Sequence, residues 1–232
     1  CKRREIPIIF DAVEWFSAEQ FKKGEKSLGY KMNNYYNTKL IDKQYGVVSI
    51  SSYLNEHFKS KGIRTVEIPV ILDVNSMPTH IHNDSDKVAL MYAGSPGKKD
   101  YLATIINALT LLKQNDLDKL TFTIIGVTEE QLVTSCGVKS DNISQLKNCL
   151  NIKGRIPRNM VLEELTKADF TILIRSEKLR YAKAGFPTKF VESLALGTPV
   201  IANLTSDLEH YLIDNKNGMI VNSNSEESIC LT

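Results

Sequence analysis

The stretch Gly185 to Asn203, GFPTKFVESLALGTPVIAN, is where the fold of this chain is read most directly. Gly185 and Pro187 set a tight turn, Thr188 is a suitable helix cap, and Lys189 falls in the first turn of the helix that follows. A helix N-terminus favours an anion, so a lysine there makes sense when an anionic ligand sits on the free backbone N–H groups. FVESLAL then offers Phe190, Val191 and Leu194 for burial, with Glu192 near the helix start. Gly197 ends the helix before the apolar strand PVIAN. The stretch reads as an anion-cradling turn, a short helix and a buried strand in succession.

The same alternation recurs upstream. VALMYAG is a strand, SPGKKD a loop holding Gly94, Gly97, Lys98 and Lys99, and YLATIINALTLLKQN a helix with Leu102, Ile105, Ile106 and Leu109 on one face. Small residues let a backbone approach a ligand, and the lysines supply charge for phosphate. The loop is neither GxGxxG nor a Walker loop, so an ordinary surface turn is an equal alternative at this point. LTFTIIGV is the next strand, followed by a helix from about Glu129 and an irregular polar region from Cys136 to Asn148. CLNIKGRI is a strand stopping at Pro157, NMVLEELTKAD an amphipathic helix and FTILIR a strand. Arg155 and Arg175 fall at carboxyl ends of strands, where α/β sheets bind ligands. Converging on one crevice they suit a diphosphate; singly, each suits a surface salt bridge. SEKLRYAKA, residues 176–184, is charged, lacks a period and reads as a loop that orders on ligand binding.

Before Asp73 the order is again strand, helix, strand, helix, strand. IPIIFDAVEWF reads as a buried strand, MNNYYNTKLIDKQYG as a helix ended by Gly46 with tyrosines used for packing, and VVSISSYLNEHFKSKG as a strand into a helix capped by Ser51 or Ser52. IRTVEIPVILD is another strand. The polar, turn-rich DVNSMPTHIHNDSD marks a boundary. The expected division is residues 1–75, a linker at 76–87, and a second domain at 88–232. His80 and His82 alternate as on a strand, but no third ligand lies nearby, so surface histidines are the better reading than a metal pair.

Composition limits the function. The chain has 232 residues, a formal net charge of +2 and mixed basic and acidic positions, so it carries no electrostatic footprint for nucleic acid. Cys1, Cys136, Cys149 and Cys230 have neither metal-ligand spacing nor a dense disulfide pattern and read as reduced thiols of a cytoplasmic protein. No apolar run reaches the length of a membrane span. A chain that begins at Cys1 and runs straight into a strand is expected to be a fragment.

The series YAGSPGKKD, IKGRIPRNMVLEELTKADFTILIR, AGFPTKFVESLALGTPVIAN and NGMIV resembles the donor-binding half of a GT-B glycosyltransferase of the retaining kind grouped as glycosyltransferase family 4. The resemblance covers nearly everything from Val88 onward, and the third block is the specific one. FDAVEWF, VVSISSYLNEHF and VEIPVILD resemble the closing part of the acceptor-side domain in bacterial capsular or surface polysaccharide transferases, with about half of that domain missing upstream. The fold implied is α/β: a Rossmann-like parallel sheet with flanking helices, plus a partial N-terminal Rossmann-like domain.

The resemblance implies that Glu192 accepts hydrogen bonds from the ribose hydroxyls of a nucleotide-sugar, as suits an acceptor-only carboxylate. The turn at Gly185 and Phe186 and the backbone around Thr188, Lys189 and Phe190 would face the diphosphate or the sugar. Gly94, Ser95 and Arg175 complete the candidate donor-binding set, from their places at strand ends rather than from the resemblance. Lys98, Lys99 and Arg155 are the candidate catalytic cations, the lysines neutralising phosphate as the bond to the sugar breaks. Arg155, Ile156 and Pro157 would lie beside the base. The family's second acidic residue, eight positions before the ribose-binding glutamate, is Ala184 here, which leaves the donor sugar open.

The implied substrates are a UDP- or GDP-sugar and a glycan or lipid-linked acceptor, with no separate cofactor and no metal. The location implied is the cytoplasm, at the inner membrane face if the missing N-terminal part associates with lipid. The fragment alone is expected to be inactive. Two alternatives stand beside this: a non-catalytic nucleotide-sugar-binding or interaction module of the same fold, and an NAD-dependent enzyme, which the absence of GxGxxG disfavours.

Overall fold

A computed structural model describes residues 6–79, 85–95 and 99–232; His80 and His82 lie outside the described residues. The strands, in chain order, are β1 (Ile9–Ala12), β2 (Gly46–Ser49), β3 (Arg64–Glu67), β4 (Val88–Ala93), β5 (Leu120–Ile125), β6 (Leu150–Gly154), β7 (Phe170–Leu173), β8 (Val200–Asn203) and β9 (Gly218–Val221). The helices are α1 (Leu28–Tyr35), α2 (Ser52–Ser60), α3 (Leu102–Leu109), α4 (Gln114–Leu117), α5 (Glu129–Thr134), α6 (Ser140–Gln145), α7 (Arg158–Leu165), α8 (Arg180–Ala184), α9 (Thr188–Ala195) and α10 (Glu226–Leu231). No described helix is long and apolar enough to cross a membrane. The chain forms two units: one runs to Ile71 and takes in Glu177–Pro187 and Thr205–Glu209, and the other comprises Leu72–Ser176, Thr188–Leu204 and His210–Thr232.

The first unit is built on a parallel sheet of order β1-β2-β3. Trp15, Val47, Leu54, Phe58 and Ile63 form its core, together with Ala184 from α8. Ser51 caps α2: its Oγ accepts the Leu54 N–H at 3.4 Å and donates to the Ala184 carbonyl at 2.7 Å. The expected buried run Ile6 to Phe10 is instead half an edge strand. It starts at Ile9, which is 69% exposed, because among the described strands β1 has a neighbour on one side only.

The expected helix before Gly46 is shorter and earlier: α1 gives way to a π turn at Tyr36–Leu40, and Gly46 opens β2. Asparagine side chains explain the break. Asn33 Oδ1 accepts the Phe16 N–H at 2.8 Å, Asn34 Oδ1 the Trp15 indole N–H at 3.1 Å, and Asn37 donates to the Asn33 carbonyl at 2.9 Å. Tyr35 and Tyr36 point outward rather than packing in the core. β3 ends before Pro69, which has no N–H to give a ladder. SEKLRYAKA is not a plain loop: α8 buries Tyr181, Ala182 and Ala184. The Arg180 guanidinium stacks 4.4 Å above Trp15 and donates to the Phe16 carbonyl at 2.5 Å.

The second unit carries six parallel strands in the order β6-β5-β4-β7-β8-β9. Successive strands move outward from β4 on one side, and β7 then restarts on the other side of β4. This is the doubly wound arrangement, whose crevice opens at the carboxyl ends where the order reverses. Alternate residues of β4 serve opposite faces. Leu90 and Tyr92 join Ile105, Ile106, Phe122 and Ile124 in one core, and Met91 joins Ile125, Leu165, Ala168 and Leu196 in the other. Burial of each such side chain contributes about 1.5–3 kcal/mol.

Most elements fall where the sequence puts them. Leu102, Ile105, Ile106 and Leu109 of α3 are all buried. One region differs: the polar run after Cys136 contains α6, whose Ile143 is buried and whose Asn142 donates to the Asn107 side chain at 2.8 Å. One buried apolar residue in six is too little periodicity to see in sequence. In α9, Phe190 and Ser193 are the buried positions, whereas Val191 and Leu194 are only half-buried. Ser193 Oγ meets Thr171 Oγ1 at 2.7 Å and donates to the Thr198 carbonyl at 2.8 Å, so a hydroxyl sits in the helix–sheet seam with its bonds made.

Candidate functional site

Three neighbouring strands end in a floor of small residues. Ala93 pairs with Ile125, and Ile125 with Gly154, so Gly94, Gly126 and Arg155 follow the ends of β4, β5 and β6. The Gly94 N–H donates to the Ile125 carbonyl at 2.8 Å, and the Gly126 N–H to the Gly154 carbonyl at 2.7 Å. Gly126 has φ +105°, and a Cβ there would overlap the Gly94 carbonyl. A Cβ on Gly94 would overlap the end of the Lys189 side chain. Only glycine permits this approach.

Lys189 lies over that floor from the first turn of α9. Its ammonium pairs with Asp100 and donates to Tyr92 Oη at 2.9 Å, while Tyr92 Oη donates to Asp100 Oδ2 at 2.7 Å. The Lys189 ammonium also sits 4.5 Å from the Tyr92 ring centroid. Asp100 is nearly buried, at 8% side-chain exposure. Burial, and then the Asp100 charge, push the Tyr92 phenol far above its ordinary range, so it stays a proton donor. Asp100 therefore supplies the anion that the sequence assigned to a ligand of Lys189.

Facing this group, Glu192 Oε1 lies 2.7 Å from Arg158 Nη2. Gly94, Ser95, Gly126, Arg155, Ile156 and Arg158 share one cleft of about 440 Å³ with Val161, Thr188, Lys189 and Glu192. It has cations at the rim, glycine at the floor, an aliphatic wall and one carboxylate.

Of the residues singled out in sequence, Gly94, Ser95, Arg155, Ile156, Thr188, Lys189 and Glu192 meet in this cleft. Others do not line it. Phe190 is 2% exposed and belongs to the interior. Arg175 is also buried at 6%, and its backbone N–H is held by Asn203 Oδ1 at 2.9 Å. Pro157 stands at the cap of α7, and Lys99 is not among the lining residues. Gly185 and Phe186 belong to the first unit, and Lys98 lies outside the described residues. The sequence reading missed Arg158, Asp100, Tyr92 and Gly126 as site residues. Arg158 carried a usable signal, since it is a cation in the first turn of a helix, as Lys189 is.

Residues 75–230 match the model of the family described as glycosyl transferases group 1. No curated protein matches the sequence. Among solved structures the chain is similar to HepE of Anabaena in complex with UDP and glucose, at 15% identity and TM-score 0.71, covering 97% of this chain and 60% of that one. It is similar to sucrose-phosphate synthase of Thermosynechococcus elongatus, at 11% identity and TM-score 0.70, covering 99% and 59%. It is also similar to WaaG, a glycosyltransferase involved in lipopolysaccharide biosynthesis, at 15% and 0.66, covering 98% and 65%. The chain thus spans about 60% of the length of the first of these structures. At these identities the likeness is one of fold, the GT-B glycosyltransferase type. With its match over residues 75–230, the chain belongs to the glycosyl transferases group 1 family.

Proposed function

We propose that the protein transfers a sugar from a nucleotide-sugar to a glycan or lipid-linked acceptor, with retention at the anomeric carbon and without a metal ion, as a family 4 enzyme of bacterial surface or capsular polysaccharide synthesis. One observation carries the reading: a glycine floor, a helix start and the Glu192 carboxylate share one cleft at the carboxyl ends of β4, β5 and β6. HepE complexes with UDP and with UDP-glucose support a UDP-sugar as the donor, with a GDP-sugar as the second choice. Residues 88–232 are read as the donor domain, 76–87 as a linker and 1–75 as the end of the acceptor-side domain. The whole protein would work at the cytoplasmic side, with any lipid contact made by its N-terminal part.

In this reading Glu192 accepts the ribose hydroxyls, Ile156 lies against the base, and the backbone at Thr188 and Lys189 faces the diphosphate. Arg155, which lines the cleft, stabilises negative charge as the leaving group departs and positive charge develops at the sugar, with Lys98 or Lys99 of the loop after β4 as the second cation. Cations fixed before the reaction need no reorganisation during it, which is how they would replace a metal. Activity of the full-length protein that vanishes with a chelator and returns only with a divalent cation would overturn the metal-independent part.

Thermal shift with UDP, GDP, ADP and NAD tests the donor class. The expected result is stabilisation by one nucleoside diphosphate, about 2.7 kcal/mol at 100 times its dissociation constant. Stabilisation by NAD alone overturns the reading. A second reading, a non-catalytic module, is favoured by Ala184, fully buried where the family's acid would stand. Binding without turnover in the full-length protein would select it.

A further inference from the structure

The ion pair between Arg158 and Glu192 joins two helices across the cleft. Arg158 is the first residue of α7, set by Pro157 with φ −57°, and Glu192 lies in the second turn of α9. Their side chains differ sharply in environment: Glu192 is 21% exposed and Arg158 65%. A carboxylate on a two-carbon stem turns freely unless something holds it, and its terminal torsion is broad. Here the contact is to one oxygen, Oε1. A carboxylate offers roughly four lone-pair sites, so one donor on Oε1 narrows its rotation and leaves the others for hydroxyls.

We infer that Arg158 is a positioning residue that sets the Glu192 carboxylate for a vicinal diol, and so determines the preference for a ribonucleotide over a 2′-deoxyribonucleotide. This rests on the role given to Glu192 above. The opposite role, a latch that Glu192 must break before binding, fits the exposures less well. So exposed a pair contributes little in water and would make a weak lock. As an orienting contact it matters more, because a bound nucleotide excludes water from it.

The test is titration of UDP, GDP and ADP, each against its 2′-deoxy counterpart, into the protein and into Arg158→Ala, Arg158→Lys and Glu192→Gln. The unaltered protein is expected to prefer the ribonucleotide by roughly tenfold, as one lost charged hydrogen bond implies. Arg158→Ala should lose most of that preference while keeping its ligand-free Tm within about 2 °C, since the side chain is exposed. Arg158→Lys should retain part of it. In a Glu192→Gln background, Arg158→Ala should change the preference no further. An unchanged preference in Arg158→Ala overturns the inference alone, as does tighter ribonucleotide binding, the mark of a latch. Binding with no preference in the unaltered protein removes the role of Glu192 and the inference with it. Failure of all three ribonucleotides to bind overturns the proposed function as well.

Discussion

Lys189 and Asp100 form an ion pair across the glycine floor, with the Tyr92 hydroxyl bonded to both. The lysine at the start of α9 is therefore neutralised from within the fold. Asp100→Asn keeps the shape and removes the anion, leaving an ammonium at 32% exposure without its partner. Unfolding in urea should show a loss of about 1–2 kcal/mol, below the cost of breaking a fully buried pair. The released ammonium should at the same time tighten UDP binding, and more so at low salt. A variant of unchanged stability and affinity would mean that the pair has no energetic role.

Gly126 tests the floor itself. Gly126→Ala combines a left-handed φ with overlap on the Gly94 carbonyl, so it should cost about 2–5 kcal/mol. Gly137 is the control: its φ is +80°, but a Cβ there meets nothing within 4 Å among the described residues. Gly137→Ala should cost only about 1–2 kcal/mol of backbone strain. Comparing the two denaturation midpoints separates crowding from strain.

Ala184→Glu would place an acid where the sequence resemblance leads one to expect it, yet Ala184 is packed with Trp15, Leu54 and Phe58 in the first unit. A carboxylate there is buried without a partner. The expected result is loss of stability by about 3 kcal/mol or more, with no gain of transfer activity in the full-length protein. A stable variant with enhanced turnover would show that the position can open toward a ligand.

His57 is expected to make the first unit sensitive to acid. Its ring lies 4.4 Å from the Trp15 ring, and Nε2 is 2.7 Å from the Asn37 carbonyl. Burial lowers its pKa below 6.5; the Asn37 bond opposes this, and the Lys61 and Arg180 charges add to it. The unfolded chain therefore binds a proton near its ordinary pKa that the folded chain resists. Stability present above about pH 6.5 is lost as pH falls toward the folded pKa. Urea midpoints should decline as pH falls below about 6.5, and His57→Gln should flatten that decline. An equal decline in the variant would assign it to other groups.

Much of the second unit was legible because its strands are buried on both faces and read as apolar runs, while Gly94, Gly126 and Gly197 mark their turns. The first unit was harder. α8 has charged residues at Arg180 and Lys183, and its order comes from the Trp15 ring, the Phe16 carbonyl and the Ser17 hydroxyl, which are distant in sequence. α1 is interrupted by asparagine contacts that no periodicity reveals.

The sequence by itself determined the alternation of strands and helices, the turn and helix at 185–195, and the placing of Glu192 and Lys189 on that helix. These follow from local periodicity and from the backbone limits of glycine and proline. Only the tertiary structure decided what each charge meets. It gave Lys189 to Asp100, Glu192 to Arg158 and Arg175 to the interior, because partners across a parallel sheet are set by strand order and register rather than by nearness in the chain.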